Sequence, residues 1–441
     1  MRRRRSPRAT VSLVLAALIS PLVVSSGAHA LCGDLNTDGH VAATDALVSL
    51  QVVVAGGYRL RGDVNPESTG DGELTVTDSL RTLQSAVSLT IPPCAAAAGS
   101  LLVATSSVSF ANGGITEIGL DNFQIERQEQ GITAGDSVLR MHDGRAFVLN
   151  RFAANNLQEI DLADPGFAAL SQCSLGSGAN PHDFVLITED KGYVTRYDKP
   201  SLGVVDLSVD STCNGFVSKL IDLSALADSD GVPEMDQMAL IDGSLFIALQ
   251  KLDRRNFFLP TGPGALAVID TISDTLVGEI PLEIANPFAE TKGLIFEPSL
   301  GRFFVGGPGT LFTDLDDGGI EVVDPHSATS AGVIITGAEL GGDLLDFVIV
   351  GSKRAYAIVS DQRFVASLVE LDLTTRSVVD TLIQSDYSIS DIELDESGVL
   401  CAADRNPLAP GLRCFDIASN VELTEEPVFS GLTPFNVIFR R

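Results

Sequence analysis

The chain has no tryptophan and only five tyrosines in 441 residues. The indole platform on which a sugar or a quinone usually stacks is therefore missing. Histidine is scarce as well, with His40, His142, His182 and His326 the only ones beyond the first 30 residues. No GxSxG or HExxH motif occurs, so the two commonest sequence signatures of a serine hydrolase and a zinc protease are absent. No CxxC pair is present, which disfavours a thiolate zinc site. After residue 30 no apolar run approaches the ~20 residues needed to span a bilayer. Basic residues are few: Lys and Arg total 29 against 58 Asp and Glu, a net charge of -29. Such a field repels nucleic acid and anionic membranes and attracts cations.

What is present begins with a leader. MRRRRSPR is basic, VSLVLAALISPLVVSS is apolar, and Ala28-His29-Ala30 is a small-x-small cleavage site, so residues 1–30 are expected to be a secretory signal peptide. The leader holds five arginines and no acid, leaving 24 basic against 58 acidic residues and a net charge near -34. The product is expected to be exported, soluble and monomeric, outside the cytoplasm. Six cysteines (Cys32, Cys94, Cys173, Cys213, Cys401 and Cys414) suit an oxidising compartment. Spacing leaves the pairing open. The most local solution joins Cys32 to Cys94, Cys173 to Cys213 and Cys401 to Cys414.

Residues 33–45 read GDLNTDGHVAATD. Counted from Asp34, oxygen donors fall at positions one, three, five and twelve (Asp34, Asn36, Asp38, Asp45), with Gly39 at six. That is the spacing of an EF-hand-type calcium loop, where alternate side chains converge and a glycine permits the sharp turn. The pattern restarts at Asp63 and Asn65 and, after a four-residue insertion, finishes through Asp71, Glu73 and Asp78. TDALVSLQVVV at 44–54 then matches TDSLRTLQSAV at 77–87, with leucines on one helical face.

This duplicated loop-helix unit resembles a dockerin type I domain. The resemblance implies two calcium ions, held by Asp34, Asn36, Asp38 and Asp45 and by Asp63, Asn65, Asp71 and Asp78, with backbone carbonyls from His40 and Glu73. It also implies a cohesin-like partner, although Ala43-Thr44 and Val76-Thr77 at the recognition positions name none. The domains expected are thus a leader (1–30), a small α calcium module (31–94), a small-residue linker (95–100) and a large remainder (101–441).

The remainder repeats one strand phrase seven times: GITEIGL (114–120), NLQEIDL (156–162), LGVVDLS (202–208), LAVIDTI (266–272), IEVVDPH (320–326), LVELDLT (368–374) and LRCFDIA (412–418). Their sixth residues lie 42, 45, 64, 54, 48 and 44 apart. Upstream of each lies an apolar hairpin such as SVLRMHDGRAFVLN, and downstream an outer strand such as SVVDTLIQ. Four strands per unit and seven units predict a mainly β, seven-bladed β-propeller. LTPFNVIFRR at the end reads as a first strand without a hairpin, and SLLVATSSV at 100–108 as a second strand without a first. The two are expected to close the ring in one blade. The pattern is similar to that of YVTN-type, quinoprotein-like propellers, and the lack of tryptophan excludes a WD-repeat signature.

Five of the seven turns into the innermost strands carry an acid (Asp136, Asp183, Asp236, Asp346, Asp391); the other two hold Lys292 and Asn436. Equivalent corners of a closed ring would gather these carboxylates at one channel mouth. Two uses are open there: a cation site, or backbone N–H acceptors that fix the turns. Asp314, Asp316 and Asp317 pose the same choice on a smaller scale. The function expected is non-enzymatic binding, with the propeller as platform for an unidentified ligand and the calcium module as attachment device. The alternative is a metal-dependent hydrolase or lactonase at the acidic mouth.

Overall fold

The structure is a computed structural model that describes residues 99–288, 292–385 and 388–440. The leader, the duplicated calcium loops with all their candidate ligands, and Cys32 and Cys94 lie outside the described residues. Among the described residues helix is confined to one α turn, Gly337–Leu340, and one 3-10 turn, Ser224–Leu226. Among the described residues no helix is long and apolar enough to cross a membrane.

Seven four-stranded antiparallel sheets and one two-stranded ribbon, Leu252–Asp253 with Leu259–Pro260, make up the described residues. We number the seven sheets as blades 1 to 7 in chain order. Their innermost strands are Thr433–Arg440, Ser137–His142, Phe184–Thr188, Met235–Ile241, Leu294–Glu297, Asp343–Val350 and Ile389–Leu394. Each innermost strand packs on the next, and the strand of blade 7 packs on that of blade 1, so the circuit is closed. The strand that closes it comes from the end of the chain: Thr433–Arg440 pairs with Ser100–Ser106 inside blade 1. The missing first strand is thus supplied by the C-terminal segment, as its sequence predicts. The innermost strands remain the inner edges of their sheets, sheltered where they pack on one another around the channel.

All seven repeat phrases form the third strand of their blade. Their shared aspartate ends that strand and turns the chain outward. The carboxylates of Asp161, Asp206, Asp270, Asp324, Asp372 and Asp416 each accept the N–H two residues on, at 2.7 to 3.0 Å. This is an Asx turn, a local mimic of a backbone turn. Blade 1 has Gly119 at that position and uses Asn122 instead, which accepts from Gln124 at 2.8 Å. Two first-to-second hairpins turn on Asp143-Gly144 and Asp242-Gly243, both residues of each pair at positive φ, the geometry that matches strand twist.

The apolar core is divided into seven clusters, one per seam between blades. Each sheet therefore buries both faces against its neighbours. The second strands read as continuous apolar runs, such as Arg145–Asn150, rather than as alternations. Two disulfides support this arrangement. Cys173 in the outer strand of blade 2 joins Cys213 in a loop of blade 3, across a seam. Cys401 and Cys414 are directly opposed on the second and third strands of blade 7.

Candidate functional site

In each of blades 2 to 7 the start of the innermost strand lies against the end of the second, as in Ser137 opposite Asn150 and Ile389 opposite Asp404. The loops leaving second strands therefore crowd the channel mouth at which the innermost strands begin. The connections between blades arrive at the same end. Both sets form a single face, called here the loop face.

The five predicted acids do not form one ring at this mouth. Asp136 lies one residue before its strand and turns outward to Arg151 at 2.6 Å. Asp183, Asp236, Asp346 and Asp391 are buried, and three of them bind the backbone of the next blade. Asp183 accepts from Met238 N at 2.7 Å, Asp346 from Ile392 N at 3.0 Å, and Asp391 from Val437 N at 2.5 Å. Asn436 continues the series: its amide donates to Asp391 at 2.8 Å, and its carbonyl accepts from Leu139 N at 2.6 Å. These side chains act as staples from blade to blade. A short carboxylate or amide suits the task because a β-bulge beside it leaves the neighbouring N–H without a ladder partner. Burial and then the neighbouring Asp391 push Asp346 well above the usual carboxylate range.

Two basic side chains complete the channel. Arg140 donates to Asp183 at 2.5 Å, to the Leu139 carbonyl at 2.9 Å and to Gln237 at 3.1 Å. It thereby ties three blades together. Lys292 pairs with Glu393 rather than with any of the five acids. Both line a cavity of about 470 Å3 on the channel side. Asp314 caps the N–H of Asp316, and Asp317 holds Thr310, so the acidic loop closes on itself. Among the described residues no group of three or more His, Cys, Asp or Glu side chains is arranged to hold a metal ion.

A polar cluster stands where blades 3 and 4 meet. His182 Nδ1 lies 2.8 Å from Asp236, and its ring stacks on Tyr197 at 4.0 Å and 8°. Tyr197 donates to Gln250 at 2.8 Å. Beneath them Glu234 bonds Arg254 at 2.6 Å and Leu252 N at 2.9 Å. Burial still pushes Glu234 up to about 7. The same pair raises Arg254, and the two shifts pull in opposite senses. Glu234 is wholly shielded while Arg254 reaches solvent, so burial outweighs the ion pair at the carboxyl. Oδ2 of Asp236 and Nε2 of Gln250 are buried with no partner among the described residues.

The most extensive feature of the face is apolar. Seven phenylalanines among the described residues are exposed: Phe110, Phe152, Phe257, Phe258, Phe312, Phe364 and Phe429. The first six lie in loops after second strands, and Phe429 in the connection from blade 7 to blade 1. Leu408, 93% exposed, adds a tip from blade 7. The opposite face exposes only Ile272 and Leu300 among its large apolar residues in the described loops. Five of these rings stand on residues in the left-handed region: Phe110, Phe257, Phe258, Phe312 and Phe364, at φ 55, 57, 56, 63 and 64°. That conformation costs an L-residue about 1–2 kcal/mol. Burial offsets only part of that cost, because these five residues remain 37–93% exposed.

The sequence reading missed Arg140, Tyr197 and this phenylalanine set. Apart from the adjacent Phe257 and Phe258, each phenylalanine is single in its loop, without a period that would flag it. A signal was nonetheless available, since every one falls just after a second strand or between blades.

No protein-family model matches the chain, and no curated protein matches its sequence. Solved structures do share its fold. A candidate 6-phosphogluconolactonase from Bacteroides fragilis NCTC 9343 superposes with a TM-score of 0.54 at 12% identity, over 78% of this chain and 98% of its own. One from Bacteroides uniformis ATCC 8492 gives 0.55 at 12% identity, over 78% and 99%. The protein is a seven-bladed β-propeller of this structural type, and at such identity the likeness concerns the fold alone.

Proposed function

We propose that the protein is an exported binding protein whose loop face is a platform for a polypeptide partner. One observation carries the reading: every exposed phenylalanine among the described residues lies on that face, mostly on strained backbone. Exposed apolar groups gathered on one face suit an interaction surface, and left-handed backbone kept at partly exposed rings points to use rather than to packing alone. Three of the four buried acids, Asp183, Asp346 and Asp391, are engaged as blade staples. Two disulfides suit an oxidising compartment. On the strength of their sequence, the duplicated loops of residues 33–78 add calcium-dependent attachment, with a cohesin-like protein as the partner of that segment.

Photo-crosslinking tests the platform. A benzophenone amino acid at position 152, 257 or 364 should yield adducts of discrete mass in the cells that make the protein. The same probe at position 242, in a hairpin turn of the other face, should yield none. Equal labelling from both faces sinks the reading.

A second reading, a hydrolase or lactonase at the same mouth, is favoured by the His182–Asp236 pair. Asp236 fixes one imidazole nitrogen and would stabilise an imidazolium, so that the other could take a proton from an attacking water. Turnover of a panel of lactones and esters tests it. His182→Asn should then lower kcat about 10²- to 10⁴-fold with folding intact; absence of turnover across the panel rejects it.

A further inference from the structure

Among the described residues blade 4 alone carries an extra sheet, the ribbon of Leu252–Asp253 with Leu259–Pro260. Two ladder pairs join its strands, and Phe257 at its tip is 93% exposed. A two-stranded ribbon is marginal in water, so this one depends on what it is tied to. None of residues 252–260 belongs to a core cluster of the blades. Its feet stand on Lys251 at φ 55° and Gly262 at φ 155°, and nothing lies within 4 Å of where a Cβ would sit on Gly262. The second foot therefore has room to turn.

The hydrogen bonds of the ribbon to the rest of the described residues come from Leu252 and Arg254. Leu252 N donates to Glu234 at 2.9 Å, and Arg254 N to Asp230 at 3.1 Å. The Arg254 guanidinium donates to Glu234 at 2.6 Å, to Asp198 at 2.8 Å and to the Tyr197 carbonyl at 3.0 Å. One side chain thus fastens the ribbon of blade 4 to a loop of blade 3.

That loop leads to the polar cluster at the channel mouth. Arg254 lies 5.6 Å from the ring centres of both Phe258 and Tyr197. Tyr197 stacks on His182, and His182 is held by Asp236. A continuous line of contacts therefore runs from the ribbon tip to the His182–Asp236 pair. With the ribbon fastened, His182 keeps only 12% of its side-chain surface. Asp236 Oδ2 and, at the first foot, Gln250 Nε2 are the buried acceptor and donor without a partner among the described residues. Both are suited to meet a polar reactant.

We infer that the ribbon is a strap latched by Arg254, and that its release opens the His182–Asp236 pair to a reactant. The use of the opened pair rests on the second reading above; the strap does not. Release breaks the bonds of Arg254 and Leu252 and leaves the core of every blade intact, which is the mark of a local opening.

Modification of His182 by diethyl pyrocarbonate tests the strap on the full chain, read by mass spectrometry at a pH where imidazole is neutral. His142, which lines the channel cavity, is the internal control. Arg254→Met removes hydrogen bonds to charged groups and should raise the rate at His182 about tenfold or more, with His142 unchanged. Asp198→Asn loosens the latch at a partly exposed ion pair and should raise it about twofold to fivefold, a change that leaves the buried Glu234–Arg254 pair in place. Amide exchange of residues 252–260 should rise in step in both variants. An unchanged rate at His182 in both, or an equal rise at His142 in both, overturns the strap. Turnover of the lactone and ester panel is a separate readout: its absence rejects the hydrolase reading and leaves the strap standing.

Discussion

Arg140 of blade 2 and Asp183 of blade 3 meet at 2.5 Å inside the channel, and the same carboxylate reaches on to the backbone of blade 4 at Met238. One ion pair therefore spans two seams. Both side chains are nearly shielded from water, so neither can lose its partner cheaply.

Removing one member should be severe. Asp183→Ala takes the carboxylate away from the buried Arg140 guanidinium and is expected to destabilise by about 3–5 kcal/mol. Asp183→Asn, which keeps an acceptor, should cost less, and Arg140→Met with Asp183→Leu should lie nearer the parent than either single change. Denaturant midpoints decide the matter; additive single effects would show that the two residues are not coupled.

The ring depends on its last strand. Deleting residues 433–441 removes the innermost strand of blade 1 and exposes Ser100–Ser106 as an open edge beside the channel. The truncated protein should lose its cooperative thermal transition and associate, as seen by calorimetry and light scattering. A sharp transition in a monomeric truncation would refute closure by this segment.

The seam disulfide is expected to matter more than its partner. Cys173–Cys213 closes 40 residues across two blades, whereas Cys401–Cys414 closes 13 within one blade. On the loop-entropy argument the first is worth about 4 kcal/mol. Replacing Cys173 and Cys213 by serine should lower the melting temperature more than the same change at Cys401 and Cys414.

Stability should pass through a maximum in mild acid. The Asx-turn carboxylates of Asp206, Asp270, Asp324, Asp372 and Asp416 are lowered, mainly by the hydrogen bonds they accept, with burial opposing and, at Asp324, the largest single influence. Their contribution is present above the free carboxylate pKa and fades as pH falls below it. Glu234 acts in the other sense. Raised by burial to about 7, its contribution is full below the free value and is lost as pH rises through 7. Glu234→Gln should flatten the melting temperature between pH 5 and 8 while leaving the acid limb in place.

Calcium is the remaining expectation. Calorimetric titration of the full chain after chelator treatment should find two ions. Asp38→Ala and Asp71→Ala should each remove one, which ties the sites to the duplicated loops. Two ions retained in both variants would place the binding elsewhere.

Much of the architecture was legible because it repeats. The seven strand phrases, their spacing and the unpaired segments at 100–108 and 433–440 follow from periodicity, which is a property of the chain read in order. The role of the recurring aspartate was also local, since an Asx turn joins residues two apart. The two described disulfides took the pairing that short separation favours.

The use of the inner acids was not legible in this way. Asp346 and Asp391 look alike in sequence to Asp136, yet the first two bond backbone in the next blade while the third turns to Arg151. That difference depends on bulges and on strands about 45 residues away. The phenylalanine face likewise exists only after ring closure brings single loop residues from separate blades to one end. Sequence alone determined the repeat unit, the number of copies and the turn chemistry, because those arise from local spacing and propensity. Tertiary structure decided which carboxylates became staples and which apolar groups became a surface, because burial and alignment around an axis are set by contacts between blades.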